Sequence, residues 1–373
     1  MPAPWRFDLP SSLNNNNKPA AVEQQKLQPR PAVVKMAAYH PPSSGRRNKL
    51  RLDFNENTVG CSPHVIEFIK RFLSASDLTM YPEYEAALED LARHFRVTPD
   101  ELTLTNGTDE AIQVLVNTFI DDNQEAIILR PSYAMYRFYC ELAGAAVTEL
   151  DYRAARLAFP LEELLERITP ATRGILISNP NNPTGTGTTV AGLEKILARA
   201  PNAAVLVDEA YYEFSGVTVL PLLKQYPNLF VSRTFSKIYG MAALRCGCLF
   251  SQAANVAHLR KAQSPYSVNM LAANAARIAI QDTSFVEDYV VEVLAARELL
   301  YVGLEKLGIP YVESKANFVL IDAGGRAKEI RDELRLRNVL VRDRSYELPG
   351  AVRITVGTRD QIHQLLNELE DLW

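Results

Sequence analysis

Cysteine, basic tracts and membrane-length apolar runs are scarce in this chain of 373 residues. Its four cysteines, Cys61, Cys140, Cys246 and Cys248, have no metal-ligand spacing, and a chain this long needs no disulfide staples. Cys246 and Cys248 have a single residue between them in an apolar stretch, so both face one side of an expected strand and read as core packing. No run approaches the ~18 apolar residues of a membrane-spanning helix. Net charge is −4 with no basic block beyond Arg46-Arg47, which argues against a nucleic-acid partner. The first residues lack an apolar stretch behind their charges, so no secretory signal is expected. These absences lead to the expectation of a cytoplasmic protein with no metal, membrane or nucleic-acid partner.

What is present is an ordinary soluble composition, 47% hydrophobic and 23% charged, at a length that allows two domains with a large core. Residues 1–45 stand apart. They hold 8 of the 22 prolines and the tract Asn14 to Asn17, and read as a flexible extension whose last part, Pro29 to Pro42, is free to pack on a partner subunit. From about residue 100, short apolar segments alternate with helical ones. Segments 101–105, 126–129, 146–150, 174–178, 203–207 and 229–232 read as strands, with helices at 109–119, 161–168 and 190–198. That rhythm predicts an α/β layer with a mostly parallel sheet. After Asn269 come long helices at 271–280 and 285–307. Strands at 318–321, 339–341 and 352–356 then alternate with helices at 327–336 and 360–372, as a smaller α+β domain would. The expected division is 46–78 with 284–373 as the small domain and 79–283 as the large one.

The chemistry concentrates in Ser232-Arg233-Thr234-Phe235-Ser236-Lys237-Ile238-Tyr239-Gly240, followed by Arg245. A lysine beside small hydroxyls and an arginine suits an amine that holds an aldehyde cofactor next to a bound phosphate. Asp208 follows an apolar strand, where parallel strands end and ligands bind. A carboxylate there would keep a pyridine nitrogen protonated, and Tyr211 three residues on could reach a ring oxygen; Tyr212 beside it reads as a decoy. Asn179-Pro180-Asn181-Asn182-Pro183-Thr184-Gly185 makes a rigid turn able to hold Asn182 over the same oxygen. Asn106-Gly107-Thr108-Asp109 opens a helix whose amides form a ready phosphate site, with Ser236 and Arg245 to complete the anion hole. Tyr133 follows another strand end and could stack on a ring. Arg353, on the apolar strand 352–356, is costly unless paired, and a substrate carboxylate or phosphate would pair it. Taken singly these residues have bland alternatives: a helix-capping aspartate for Asp208, a capped helix at Gly107, Thr108 and Asp109, a core aromatic for Tyr133, a salt bridge for Arg353. Together they fit pyridoxal 5'-phosphate, with Lys237 as the amine and later the base.

The chain resembles the fold-type I pyridoxal phosphate aminotransferases, and within them the histidinol-phosphate aminotransferase family, from about Leu50 to its end. The markers are Asn55-Glu56-Asn57, Tyr81-Pro82, Gly107-Thr108-Asp109-Glu110, the tyrosine run Pro131 to Tyr136, Asn181 to Gly185, Asp208-Glu209-Ala210-Tyr211, Ser236-Lys237, Leu244-Arg245-Cys246-Gly247, Ala316-Asn317-Phe318 and Arg353 to Thr358. The resemblance implies a homodimer with shared active sites, in which Tyr81 reaches the neighbouring subunit's cofactor phosphate. It implies that Arg353 binds the donor phosphate in one half-reaction and a glutamate or 2-oxoglutarate carboxylate in the other. It also makes Arg342 a second arginine for the phosphate, and the pathway histidine biosynthesis. One departure is Thr58-Val59-Gly60, where the family usually has Pro-Tyr-Gly or Pro-Phe-Gly after Asn-Glu-Asn. The lost aromatic hydroxyl keeps an aromatic amino acid aminotransferase in contention, and behind it a decarboxylase of a phosphorylated amino acid.

Overall fold

Short runs of β-branched and aliphatic residues, bounded by Asn, Pro and Gly, form the sheets of the computed structural model, which describes residues 27–36, 45–72, 77–153 and 156–373. In chain order the strands are β1 (Leu50–Arg51), β2 (Leu102–Thr105), β3 (Glu125–Arg130), β4 (Ala146–Asp151), β5 (Thr172–Ser178), β6 (Ala204–Asp208), β7 (Leu229–Thr234) and β8 (Gly247–Phe250). They continue with β9 (Tyr311–Val312), β10 (Phe318–Asp322), β11 (Val339–Leu340), β12 (Arg342–Asp343) and β13 (Ala351–Thr355). Most of residues 1–45, and with them the expectation of a flexible extension, lie outside the described residues.

A seven-stranded sheet runs in the order β2-β8-β7-β6-β5-β3-β4. Pairs β3-β4, β3-β5, β5-β6 and β6-β7 are parallel, and β8 alone runs against both its neighbours. Strands β2, β6, β7 and β8 are buried along their whole length, as expected where helices cover both faces of a sheet. On one face the helix Gly107–Phe119 inserts Ala111, Ile112, Leu115 and Val116 against Leu206, Phe230 and Leu249. Cys246 and Cys248 are buried in the core, as their spacing suggested.

A four-stranded antiparallel sheet, β12-β13-β10-β9, forms the smaller α+β part. The helix Thr283–Lys306 buries Tyr289, Val293, Ala296, Leu300 and Leu304 at three- and four-residue spacings along one stripe. The expected strand 339–341 is two short strands: β11 pairs with β1, and β12 joins the four-stranded sheet at Arg342. Among the described residues no helix is long and apolar enough to cross a membrane.

Candidate active site

The parallel register sets the site. Ser178, Asp208 and Ser232 stand side by side across β5, β6 and β7, while Thr105 and Thr234 both face Gly247 at the start of antiparallel β8. The loops leaving β2, β5, β6 and β7 and the loop entering β8 therefore open on one sheet edge, beyond the carboxyl ends of the parallel strands. A cavity there is lined by Thr108, Asp109, Tyr133, Ser178, Asn182, Asp208, Ala210, Tyr211, Thr234, Ser236, Lys237 and Arg245. Nine of the residues singled out from the sequence are in that lining.

Gly107 sits under the cavity with φ +73°, a backbone conformation that L side chains rarely adopt. A Cβ there would come within 2.4 Å of Arg245 Nη2, so glycine lets the guanidinium approach the helix start. Arg245 donates to Asp109 Oδ2 at 3.2 Å and to Ser236 Oγ at 3.4 Å. Tyr133 donates its hydroxyl to Asp109 Oδ1 at 2.6 Å, fixing its ring at the cavity wall. In the turn after β5, buried Asn181 donates to the Pro131 carbonyl and Thr184 Oγ1 and accepts from Ser132 Oγ. That bracket leaves Asn182 to line the cavity, where its Oδ1 accepts from Arg353 Nη1 at 2.5 Å.

Asp208 is buried with no ion pair among the described residues. Its carboxylate accepts from Tyr136 at 2.8 Å and Ser232 at 2.9 Å. Burial pushes its pKa up to about 6, and these hydroxyls oppose the shift by bonding the charged form. Lys237 Nζ donates to the Phe54 carbonyl at 2.9 Å, and burial brings its pKa down to about 8, helped by the Arg353 charge. Tyr211 accepts from Asn55 Nδ2 at 3.0 Å and packs edge-on against Phe318. Arg353, 4% exposed, also donates to the Asp53 carbonyl at 2.6 Å; burial first, then the neighbouring Arg344, bring it down to about 10. Residues 53–55 thus touch Lys237, Tyr211 and Arg353 together. Arg46 holds that loop by gripping Asp53 and Glu56 with bonds of 2.8–3.1 Å and lying over the Phe54 ring.

Gly107 and Arg353 adjoin the lining through Arg245 and Asn182, and three further residues lie away from the cavity. Tyr81 is 75% exposed and stacked on Tyr266, with ring centroids 4.6 Å apart. Arg342 faces Arg353 across the strand pair and lies over the Phe54 ring. Tyr212 turns away and carries Arg233 on its ring at 3.7 Å, where Arg233 pairs with buried Glu209. Sequence reasoning gave no role to Tyr136, Ser232, Asn55 or Arg46. Tyr136 had a signal, being one helical turn from Tyr133; Ser232 had none, because only strand register brings it to Asp208.

The residues fit pyridoxal 5'-phosphate. A buried carboxylate lacking a cation suits a protonated pyridine nitrogen, a buried lysine lacking a carboxylate suits an aldehyde, and Arg245 beside Gly107 suits a phosphate.

The chain is similar to known proteins over nearly all of its length. The sequence pattern of the family described as aminotransferase class I and II matches residues 47–369. A histidinol-phosphate aminotransferase of Geobacillus sp. (strain WCH70) is 35% identical over 336 residues, covering 88% of this chain and 91% of that protein. Histidinol-phosphate aminotransferase 1 of Carboxydothermus hydrogenoformans is 33% identical over 361 residues, covering 95% of this chain and 99% of its own. The histidinol-phosphate aminotransferase of Sinorhizobium meliloti, solved in complex with pyridoxal 5'-phosphate, superposes with a TM-score of 0.82 at 21% identity, covering 95% of this chain and 99% of that one.

Proposed function

The chain belongs to the family of class I and II aminotransferases, and we propose that it transfers the amino group of L-histidinol phosphate to 2-oxoglutarate in histidine biosynthesis. It is a pyridoxal phosphate-dependent aminotransferase, working between an amino donor and a keto acid. The donor rests on the names of its relatives and on one observation: Arg342 and Arg353 stand directly opposite each other with no carboxylate in salt-bridge range of either among the described residues. Like charges so placed favour an anion between them. The donor reading extends to a cytoplasmic homodimer. Exposed Leu78, Met80, Tyr81 and Tyr266 supply an apolar patch for a second copy, with Tyr81 reaching that copy's cofactor phosphate.

When bound, the cofactor supplies an electron sink for the charge left on the donor carbon. In this reading Ser236, Arg245 and the backbone of Gly107, Thr108 and Asp109 hold its phosphate. Tyr133 would cover the ring, Asn182 and Tyr211 would hold the ring oxygen, and Asp208 would keep the ring nitrogen protonated. Lys237 Nζ would hold the aldehyde and, when free, would take the proton from the donor carbon. Its lowered pKa leaves a larger neutral fraction near pH 7 for that base role. Arg353 would orient the donor phosphate and then a carboxylate of 2-oxoglutarate. Thr58-Val59-Gly60 keeps the aromatic-donor reading open, since exposed Val59 brings no hydroxyl to a phosphate.

The test is glutamate formation from 2-oxoglutarate with L-histidinol phosphate or L-phenylalanine as donor. A kcat/KM at least tenfold higher with histidinol phosphate supports the reading; a preference for phenylalanine rejects it.

A further inference from the structure

The wall beyond Arg353 carries more charge than two arginines account for. β12 pairs antiparallel with β13, placing Arg342 opposite Arg353, and the ladder continues from the Arg344 amide to the Ala351 carbonyl at 2.9 Å. Residues two apart on an extended strand share a face, so Arg342, Arg344 and Arg353 present three guanidiniums to one side of the small sheet. Arg344 and Arg353 are both buried, and the Nε of each lacks a hydrogen-bond partner among the described residues. Buried donors left unpaired are costly and point to a ligand.

One carboxylate enters this group. Glu347 accepts from Arg344 Nη2, and Arg353 and Arg342 are near enough to favour its charge against the burial that raises its pKa. The neighbouring acids are engaged elsewhere: Asp53 and Glu56 with Arg46, and Asp343 with Arg331. Three cations and one carboxylate leave two positive charges that the chain does not compensate.

We propose that Arg344 and Glu347 complete, with Arg342 and Arg353, an anion subsite that selects ligands by charge number. Glu347 sets the remaining charge at +2, which matches a phosphomonoester dianion in one half-reaction and a dicarboxylate in the other. An aromatic amino acid brings one carboxylate and leaves a buried guanidinium without a counter-charge. The inference rests on the substrate-binding roles given above to Arg353 and Arg342. What it adds is the part played by Arg344 and by the built-in carboxylate.

Inorganic phosphate is the probe. Its competitive inhibition constant against the amino donor is measured on the full-length, cofactor-loaded enzyme and on Arg344→Gln, Arg344→Lys and Glu347→Gln. Gain or loss of one charge-assisted contact should tighten phosphate about tenfold in Glu347→Gln and weaken it about tenfold in Arg344→Gln. Arg344→Lys should recover part of that loss. The KM for L-phenylalanine should move much less in each variant. Equal shifts for phosphate and phenylalanine would reveal a general disturbance and overturn the proposal, as would phosphate inhibition that no variant changes. A wild-type enzyme that prefers phenylalanine, with phosphate inhibition shifting as stated, would reject the donor assignment and the selection by charge number, leaving Arg344 and Glu347 only as part of an anion site.

Discussion

Removing the Tyr136 hydroxyl isolates the group that keeps a buried carboxylate charged. Asp208 titrates near 6 in the folded chain, above its ordinary range, because burial outweighs the hydroxyls of Tyr136 and Ser232. A raised carboxyl pKa means that the stability tied to Asp208 is fully present below about pH 4 and is lost as pH rises through about 6. Tyr136 opposes that loss by donating to Oδ2 at 2.8 Å, a bond to an anion at pH 8 and to a largely neutral acid at pH 5. A bond to a charged acceptor contributes about 1.5–3 kcal/mol and a neutral one about 0.5–1.5 kcal/mol. Tyr136→Phe should therefore cost about 1–1.5 kcal/mol more at pH 8 than at pH 5. For a chain of this size that is about 1–2 °C of additional loss in Tm. The assay is thermal unfolding of the cofactor-free wild type and variant at both pH values, with Asp208→Asn as the background in which the pH dependence disappears. An equal Tm loss at pH 5 and pH 8 would show that the hydroxyl does not respond to the Asp208 charge, and would refute the reasoning.

Other outcomes follow from the same geometry. Arg353→Ala should weaken both donor and 2-oxoglutarate by about 1.5–3 kcal/mol, and unchanged 2-oxoglutarate affinity in steady-state kinetics would remove Arg353 from that role. Gly107→Ala should displace Arg245 and strain the helix start, weakening cofactor binding by about tenfold in equilibrium dialysis; an unchanged Kd would mean that the arginine is not needed for the phosphate. Because burial holds Lys237 near 8, cofactor capture by the cofactor-free chain should speed up about tenfold per pH unit below about 8 and level off above it. A stopped-flow rate independent of pH between 6 and 8 would contradict this.

The α/β layering was legible because parallel strands buried on both faces read as continuous apolar runs, and segments such as Gly174 to Ser178 have no other easy reading. The cavity residues other than Arg245 were legible because they stand at or just after strand ends, where chain direction alone brings them together. What escaped depends on pairing that a linear reading cannot see. Arg245 was read from its nearness to Lys237, but the antiparallel run of β8, which brings it in ahead of a strand instead of after one, was not. Asn55 reaches Tyr211 across 156 positions of sequence. Arg344 gave no signal either, since its charge matters only once β12 is set beside β13. Tyr81 was singled out by resemblance, and within one chain it remains on the surface against Tyr266.

The most direct test of the Lys237-centred site is a titration of the cofactor-free chain with pyridoxal 5'-phosphate, followed by the visible absorbance of lysine-bound cofactor. One equivalent per chain should produce the band in the wild type, and Lys237→Ala should bind cofactor without it and form no glutamate. A band of equal intensity in Lys237→Ala, or turnover at the wild-type rate, would contradict the account.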